Sequence, residues 1–330
     1  MNFKEFIGID VSKSHIDVFI RRLGIHAKFN NDQAGFQKMI TWVKQHIDCA
    51  AEEVLFAFEH TGLYSLPLSL FLHQKQYKFT IIPGLALKRS LGIARGKNDK
   101  SDAKRIAEYV YEKREQIKLY QMPSDTLLKL KRLLSYRERL VKERAAFKGR
   151  LKEYSTFLDQ EENAFLLASH IKMLAHFSEE IKKVEKELYR LIKEDEKLDQ
   201  QFKLINSIKG VGPQTALVMI VLTHGFTSFE KWRKFASYAG TAPFPNESGT
   251  FKGSTKISHL ANKRIKTLLN CCAISAVQFN PEIRMYYQKR IAEGKNKMST
   301  LNIVRNKLLA RIFAVVQRQT PYVDTYKFAA

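Results

Sequence analysis

Phe6-Ile-Gly-Ile-Asp10-Val-Ser-Lys-Ser-His-Ile-Asp17-Val-Phe-Ile20 sets one acid, Asp10, inside an otherwise apolar run. Apolar and β-branched residues on both sides of a short polar turn predict two buried strands folded back on each other. A lone carboxylate in such a place is costly unless its charge has a partner, and a cation shared by several carboxylates is one such partner. Asp17, in the same hairpin, reads as an outward-facing strand residue. The companions of Asp10 must therefore come from further along the chain.

Residues 27–30 suit a third strand, and residues 34–46 carry Phe36, Ile40 and Val43 at helical spacing. Val54-Leu-Phe-Ala-Phe-Glu59 reads as a buried strand ending in an acid, and Gly62 permits a sharp exit after it. A helix over 65–76 and a strand over 79–83 follow. Three strands, helix, strand, helix, strand is the order of an α/β RNase H-like sheet. Residues 88–105 then hold seven basic side chains, among them Arg95 and Lys97, candidate nucleic-acid contacts. Within that stretch Asp99 and Asp102 stand three apart at a helix start, on the face of Ala103, Ile106 and Val110. Each acid alone has a bland reading, Asp99 for instance as a helix N-terminal charge. As a set, Asp10, Glu59, Asp99 and Asp102 can converge at one sheet edge, where four carboxylates need a divalent metal, Mg2+ or Mn2+.

The character changes from Met122. Pro123 and Ser124 suit a helix start, and Leu133, Tyr136, Leu140, Phe147 and Leu151 keep three-four spacing through heavy charge. Residues 159–163 break the pattern, and a second long helix runs to about 195, so an antiparallel helical hairpin is predicted. Its charged faces suit solvated surface or pairing with a second subunit, and less well a nucleic-acid backbone. Leu204-Ile-Asn-Ser-Ile-Lys-Gly210-Val-Gly212-Pro213-Gln-Thr-Ala-Leu217 then joins two apolar helical stretches as a helix-hairpin-helix. Gly210 and Gly212 would let backbone amides approach a phosphate, although a plain tight turn uses the same residues. Residues 239–253 break all periodicity and read as a long loop inside a helical region. Lys252, Lys256, His259, Lys263, Arg264 and Lys266 follow, leading into an apolar helix over 265–277, so a loop serine, Ser248, lies beside a phosphate-binding surface. A serine before a glycine is by itself a turn residue. No histidine is paired with it by sequence, although His259 is near, and a metal or a lysine could activate it instead. Residues 299–317 form a capped amphipathic helix with a structural role.

Lysine and arginine number 56 against 33 acids, a formal charge of +23 with pI near 9.8, which points to polyanionic partners. No apolar run reaches the length of a membrane span. Cys49, Cys271 and Cys272 make neither a disulfide frame nor a zinc site. The N-terminus lacks a signal core, so a cytoplasmic, nucleoid-associated protein is expected.

Five ordered motifs carry a resemblance: Ile-Gly-Ile-Asp10-Val-Ser-Lys, Phe-Glu59-His-Thr-Gly-Leu-Tyr, Lys-Asn-Asp99-Lys-Ser-Asp102-Ala, Gly-Val-Gly-Pro, and Ala-Gly-Thr-Ala-Pro with Glu-Ser248-Gly. The chain resembles the DEDD-type transposases of the insertion-sequence 110 family, which includes the Piv-type invertases. The resemblance implies a RuvC-like domain over 1–120 with its acidic tetrad on Asp10, Glu59, Asp99 and Asp102. It further implies a helical hairpin over 121–195 and a mainly helical transposase domain over 196–330 with Ser248 as nucleophile. Also implied are donor and target DNA, a bridging guide RNA, a phosphoserine intermediate, metal assistance, and a homo-oligomer, dimer to tetramer, whose sites join domains of different subunits. The sequence departs from the family where Ser258-His259-Leu-Ala261-Asn262 stands for Ser-Lys-x-Gly-Asn, and Ile265-Lys266 for Leu-Arg. These changes lose fixed cation geometry and backbone freedom beside the serine loop. Two other functions suit the composition: a metal-dependent nuclease of the Holliday-junction resolvase kind, with water as nucleophile, and a nucleic-acid-binding scaffold without activity.

Overall fold

The computed structural model describes residues 3–90 and 99–323, and of Asp99, Lys100 and Lys252 the backbone only. Arg95 and Lys97 lie outside the described residues. The chain divides into two compact units, residues 1–122 and 123–330, each described by itself.

In the first unit β1 (Glu5–Val11), β2 (His15–Ile20), β3 (Ile25–Asn30), β4 (Val54–Glu59) and β5 (Lys78–Ile82) form one sheet in the order β3-β2-β1-β4-β5. β1 pairs antiparallel with β2 and parallel with β4. Ile7, Ile9, Ile16, Val18, Phe56 and Phe58 fill one face of the sheet. Against them pack α1 (Gln33–His46), through Phe36, Met39 and Val43, and α2 (Leu66–Gln74), through Leu68, Phe71 and Leu72. On the other face Phe6, Leu55, Ala57 and Ile82 meet Leu87 of α3 (Gly84–Ser90) and Ile106 and Val110 of α4 (Asp99–Glu112). Both faces of the central strands are therefore dry, which is why they read as continuous apolar runs rather than as alternation.

The second unit opens with two long helices, α5 (Asp125–Phe157) and α6 (Ala164–Glu194), joined by the predicted break. The Ser124 hydroxyl caps α5 by accepting from the Leu127 amide. Next come α7 (Glu196–Asn206), α8 (Pro213–Leu222) and α9 (Trp232–Tyr238), then α10 (Lys263–Phe279), α11 (Pro281–Ala292) and α12 (Lys297–Arg318). Leu130, Leu134 and Leu188 of the long pair share one core with Leu217, Ile265, Leu308 and Ile312. Residues 239–253, expected to be a loop, hold instead most of a β-hairpin of β6 (Pro243–Ser248) and β7 (Phe251–Ile257). All six β6 residues are exposed, so no alternation of burial marks the strand in the sequence. Pro243 and Pro245 are tolerated because each strand of a two-stranded ribbon has an unpaired edge. Among the described residues no helix is long and apolar enough to cross a membrane.

Candidate functional site

Asp10 lies one residue from the end of β1, half-buried, and Glu59 closes β4. Ile9 stands opposite Phe58 in the parallel pair, so Asp10 and Glu59 are the next residues at the same edge and on the same sheet face. The first turn of α4 lies on that face as well. A Cβ on Gly8 would stand 2.1 Å from the Ala103 carbonyl oxygen and 2.5 Å from the Ala107 nitrogen, so the helix backbone rests directly on β1. Asp102 precedes Ala103 in that turn, and its carboxylate accepts from Arg105 Nη1 at 2.9 Å. The Glu59 carboxylate lies over Gly84, whose added Cβ would fall 1.9 Å from Oε1. Asp99 begins α4, with its side chain outside the description. Two strand ends and a helix start thus share one edge. Among the described residues, however, no three His, Cys, Asp or Glu side chains are gathered closely enough to hold a metal.

Asp17 is not outward-facing. It pairs with Asp10 across the hairpin, on the same face, and is only 5% exposed. His26 Nε2 lies 2.8 Å from its Oδ1 and Lys28 Nζ 3.9 Å from its Oδ2. Two carboxylates directly opposite each other repel, and on β3 the His26 ring nitrogen and the Lys28 ammonium stand against the second. His26 and Lys28 were missed because nothing in the sequence shows β3 running beside Asp17. The available signal was an acid within a run too apolar to have a wet face.

Ser248 is the last residue of β6 and pairs with Phe251 across a two-residue turn. Gly249 takes the left-handed conformation at φ 55°, as the first central residue of such a turn demands. The hairpin is pinned at both bases. Ahead of it the fully buried Thr241 accepts at its carbonyl from Asn302 Nδ2 and Asn306 Nδ2, each at 2.9 Å, and donates its hydroxyl to Asn306 Oδ1 at 3.1 Å. Behind it Asn262 Nδ2 donates to the Tyr238 hydroxyl at 2.7 Å while the Asn262 side chain caps α10. Gly240, at φ 66°, leaves room for Ala261, to whose Cβ an added Cβ would approach within 2.3 Å. Ala261 itself is outside the left-handed region, so the backbone freedom of a glycine is not used there. Sequence reasoning missed Thr241, Asn302 and Asn306, since polar residues at helical spacing signal only a wet face.

The predicted basic surface is uneven. Lys256 and Lys263 are exposed and Lys266 is half-buried. Arg264 is committed internally: Nη2 donates to the Leu134 carbonyl at 3.3 Å and Nη1 lies 3.2 Å from Glu138. Burial holds its pKa below the usual arginine value, with Glu138 opposing. Gly210, at φ 94°, lies against α10, where an added Cβ would stand 2.7 Å from that of Ala276. Gly212 caps α8 with open space around it. The Gly212 amide faces the buried Cys272 thiol, whose pKa burial raises and this contact lowers.

Residues 7–160 match a family model described as a transposase, of the DEDD type of IS110 elements. Residues 202–288 match the model of the transposase IS116/IS110/IS902 family. Among curated proteins, the pilin gene-inverting protein of Moraxella bovis is 28% identical over 331 aligned positions, 97% of this chain and 98% of that protein. The transposase for insertion sequence element IS1111A of Coxiella burnetii is 27% identical over 253 positions, 68% of each chain. A 43.6 kDa protein of insertion element IS110 from Streptomyces coelicolor is 30% identical over 119 positions, 36% of this chain and 29% of that protein. With two models of one family covering most of the chain in order, and a relative aligned almost end to end, the chain belongs to the IS110 family of transposases, enzymes of DNA recombination.

Proposed function

We propose that this transposase is a site-specific recombinase that cuts and rejoins donor and target DNA through Ser248, with Asp10, Glu59, Asp99 and Asp102 of the RuvC-like domain as a metal-binding set. The observation that carries the reading is the placement of Ser248 at the exposed end of a hairpin held at both bases by buried or capping hydrogen bonds. A nucleophile needs that combination of reach and fixed origin.

In the reaction, Ser248 Oγ attacks a DNA phosphorus. The Oγ–P bond forms as the bond to the departing nucleoside oxygen breaks, the Oγ proton passes to a base, and the departing oxygen takes up a proton. The diester energy is kept in the phosphoserine link, so a second strand's hydroxyl can attack it and regenerate the serine without an external energy source. An all-oxygen donor set suits Mg2+ or Mn2+, and such an ion, when bound, would neutralise charge developing on the phosphate oxygens. Asp102 would share its carboxylate between such an ion and Arg105, whose Nη1 lies 2.9 Å from Oδ1. Lys256 and Lys263 contribute to holding the backbone of the DNA. A bridging RNA that pairs with both DNAs would supply sequence choice, and a homo-oligomer would bring the required sites together.

The test is denaturing electrophoresis after incubation of the protein with Mg2+, the flanking noncoding RNA and labelled donor and target DNA. Wild type should yield a labelled protein band and Ser248→Ala none. Cutting by both proteins without an adduct would favour hydrolysis by the carboxylate site instead.

A further inference from the structure

The β6–β7 hairpin is built unlike the rest of its unit. Every residue of β6 is exposed, and two aromatic rings on the ribbon face solvent, Phe244 at 43% and Phe251 at 62%. An isolated two-stranded ribbon is marginally stable in water, and this one has no dry face of its own. Between the ribbon and the end of α9 lies an open groove of about 520 Å³. Phe244, Pro245 and Leu260 give it apolar walls, and Ser237, Asn246 and Lys256 give it polar ones. Phe244 stands opposite Lys256 in the register.

We propose that this groove receives one unpaired nucleobase of the DNA undergoing strand exchange, stacked on Phe244, with Lys256 on its phosphate. The proposal rests on the reading of Ser248 as nucleophile and specifies the state of its substrate. Four residues of extended strand separate Phe244 from Ser248, about 13 Å, which places the base within a nucleotide or two of the attacked phosphate. A duplex presents only base edges and charged backbone, neither of which suits apolar walls. A base turned out of the stack offers a flat apolar face, which an aromatic ring binds whatever the sequence. The Asn246 amide can donate to and accept from a base edge, giving modest base preference. The cation fits too: residues 201–330 hold 20 basic against 5 acidic residues, so an anionic occupant is favoured over an apolar peptide.

The experiment uses full-length Ser248→Ala protein with flanking RNA and with donor and target DNA carrying 5-iodouracil near the exchange position. Irradiation should join the base to the peptide that contains Phe244. Phe244→Ala should remove that product and weaken binding to a single-stranded oligonucleotide about 5- to 150-fold, with Phe244→Trp restoring both. A crosslink elsewhere, or unchanged affinity in Phe244→Ala, overturns the proposal. So does a Phe244→Ala protein that dissociates into smaller oligomers while keeping its DNA affinity, since a second copy of the chain would then be the occupant. Adduct formation by wild type is measured in parallel. Its absence counts against Ser248 as nucleophile, whereas adduct without the crosslink counts against the groove alone.

Discussion

At the scale of single residues, buried charge decides most. Asp17 has its carboxylate inside the first unit with His26 and Lys28 as partners. His26→Ala removes the nearer one and leaves a buried acceptor short of a donor, so unfolding in urea should show a loss of about 1–3 kcal/mol. His26→Gln should restore part of it, and an unchanged midpoint would mean that Lys28 alone satisfies Asp17. His224 works in the opposite sense. Burial lowers its pKa from 6.5, with Lys131 adding to the effect. Below pH 6.5 the unfolded chain therefore takes up a proton that the folded chain refuses until its own lower pKa is reached. Stability due to this group is complete above pH 6.5 and falls as pH drops through that window. His224→Asn, which tolerates the left-handed backbone at φ 50°, should flatten the acid side of the stability profile. Asp17 announced itself only through the apolar run around it, and His224 not at all: burial of a polar side chain depends on elements distant along the chain.

At the scale of elements, the close approach of α4 to β1 places the start of the helix at the carboxylate edge. Gly8→Ala would drive a Cβ into helix backbone, which cannot yield as a side chain can. A stability loss of about 1–3 kcal/mol or more is expected, read as a lower melting temperature. Gly84→Ala meets only the mobile end of Glu59. It should leave the melting temperature nearly intact while shifting the metal concentration needed for half-maximal adduct formation. Equal metal dependence in mutant and wild type would show that Glu59 has no role as a ligand. The sheet that holds these residues was legible because its strands are long apolar runs and its helices keep their period. Ala103, Ile106 and Val110, picked out by spacing, are indeed the buried face of α4. The β6–β7 hairpin was illegible for the complementary reason. Its side chains have nothing to pack against, so turn-forming composition was the only signal, and that reads as loop.

At the scale of the whole molecule, the charge of +23 is not spread evenly. Residues 123–200, which include the whole long helical pair, hold 17 basic and 15 acidic side chains, close to balance. Many are engaged with one another, as in Lys183 with Glu179 and Glu180 and Arg190 with Glu187 and Glu194. Solvated surface or subunit pairing fits such a helix better than contact with DNA. Residues 201–330, with 20 basic against 5 acidic, carry most of the excess. The logarithm of DNA affinity should then fall linearly with the logarithm of salt concentration, because each neutralised phosphate releases counterion. Lys256→Ala and Lys263→Ala, at exposed positions, should each reduce that slope by about 1. Arg264→Ala should leave the slope unchanged and lower stability instead, since its guanidinium is spent on Glu138 and the Leu134 carbonyl. Sequence alone ranked the three together as one basic run. A slope that drops for Arg264→Ala as much as for the lysines would mean that the arginine leaves α5 when DNA binds.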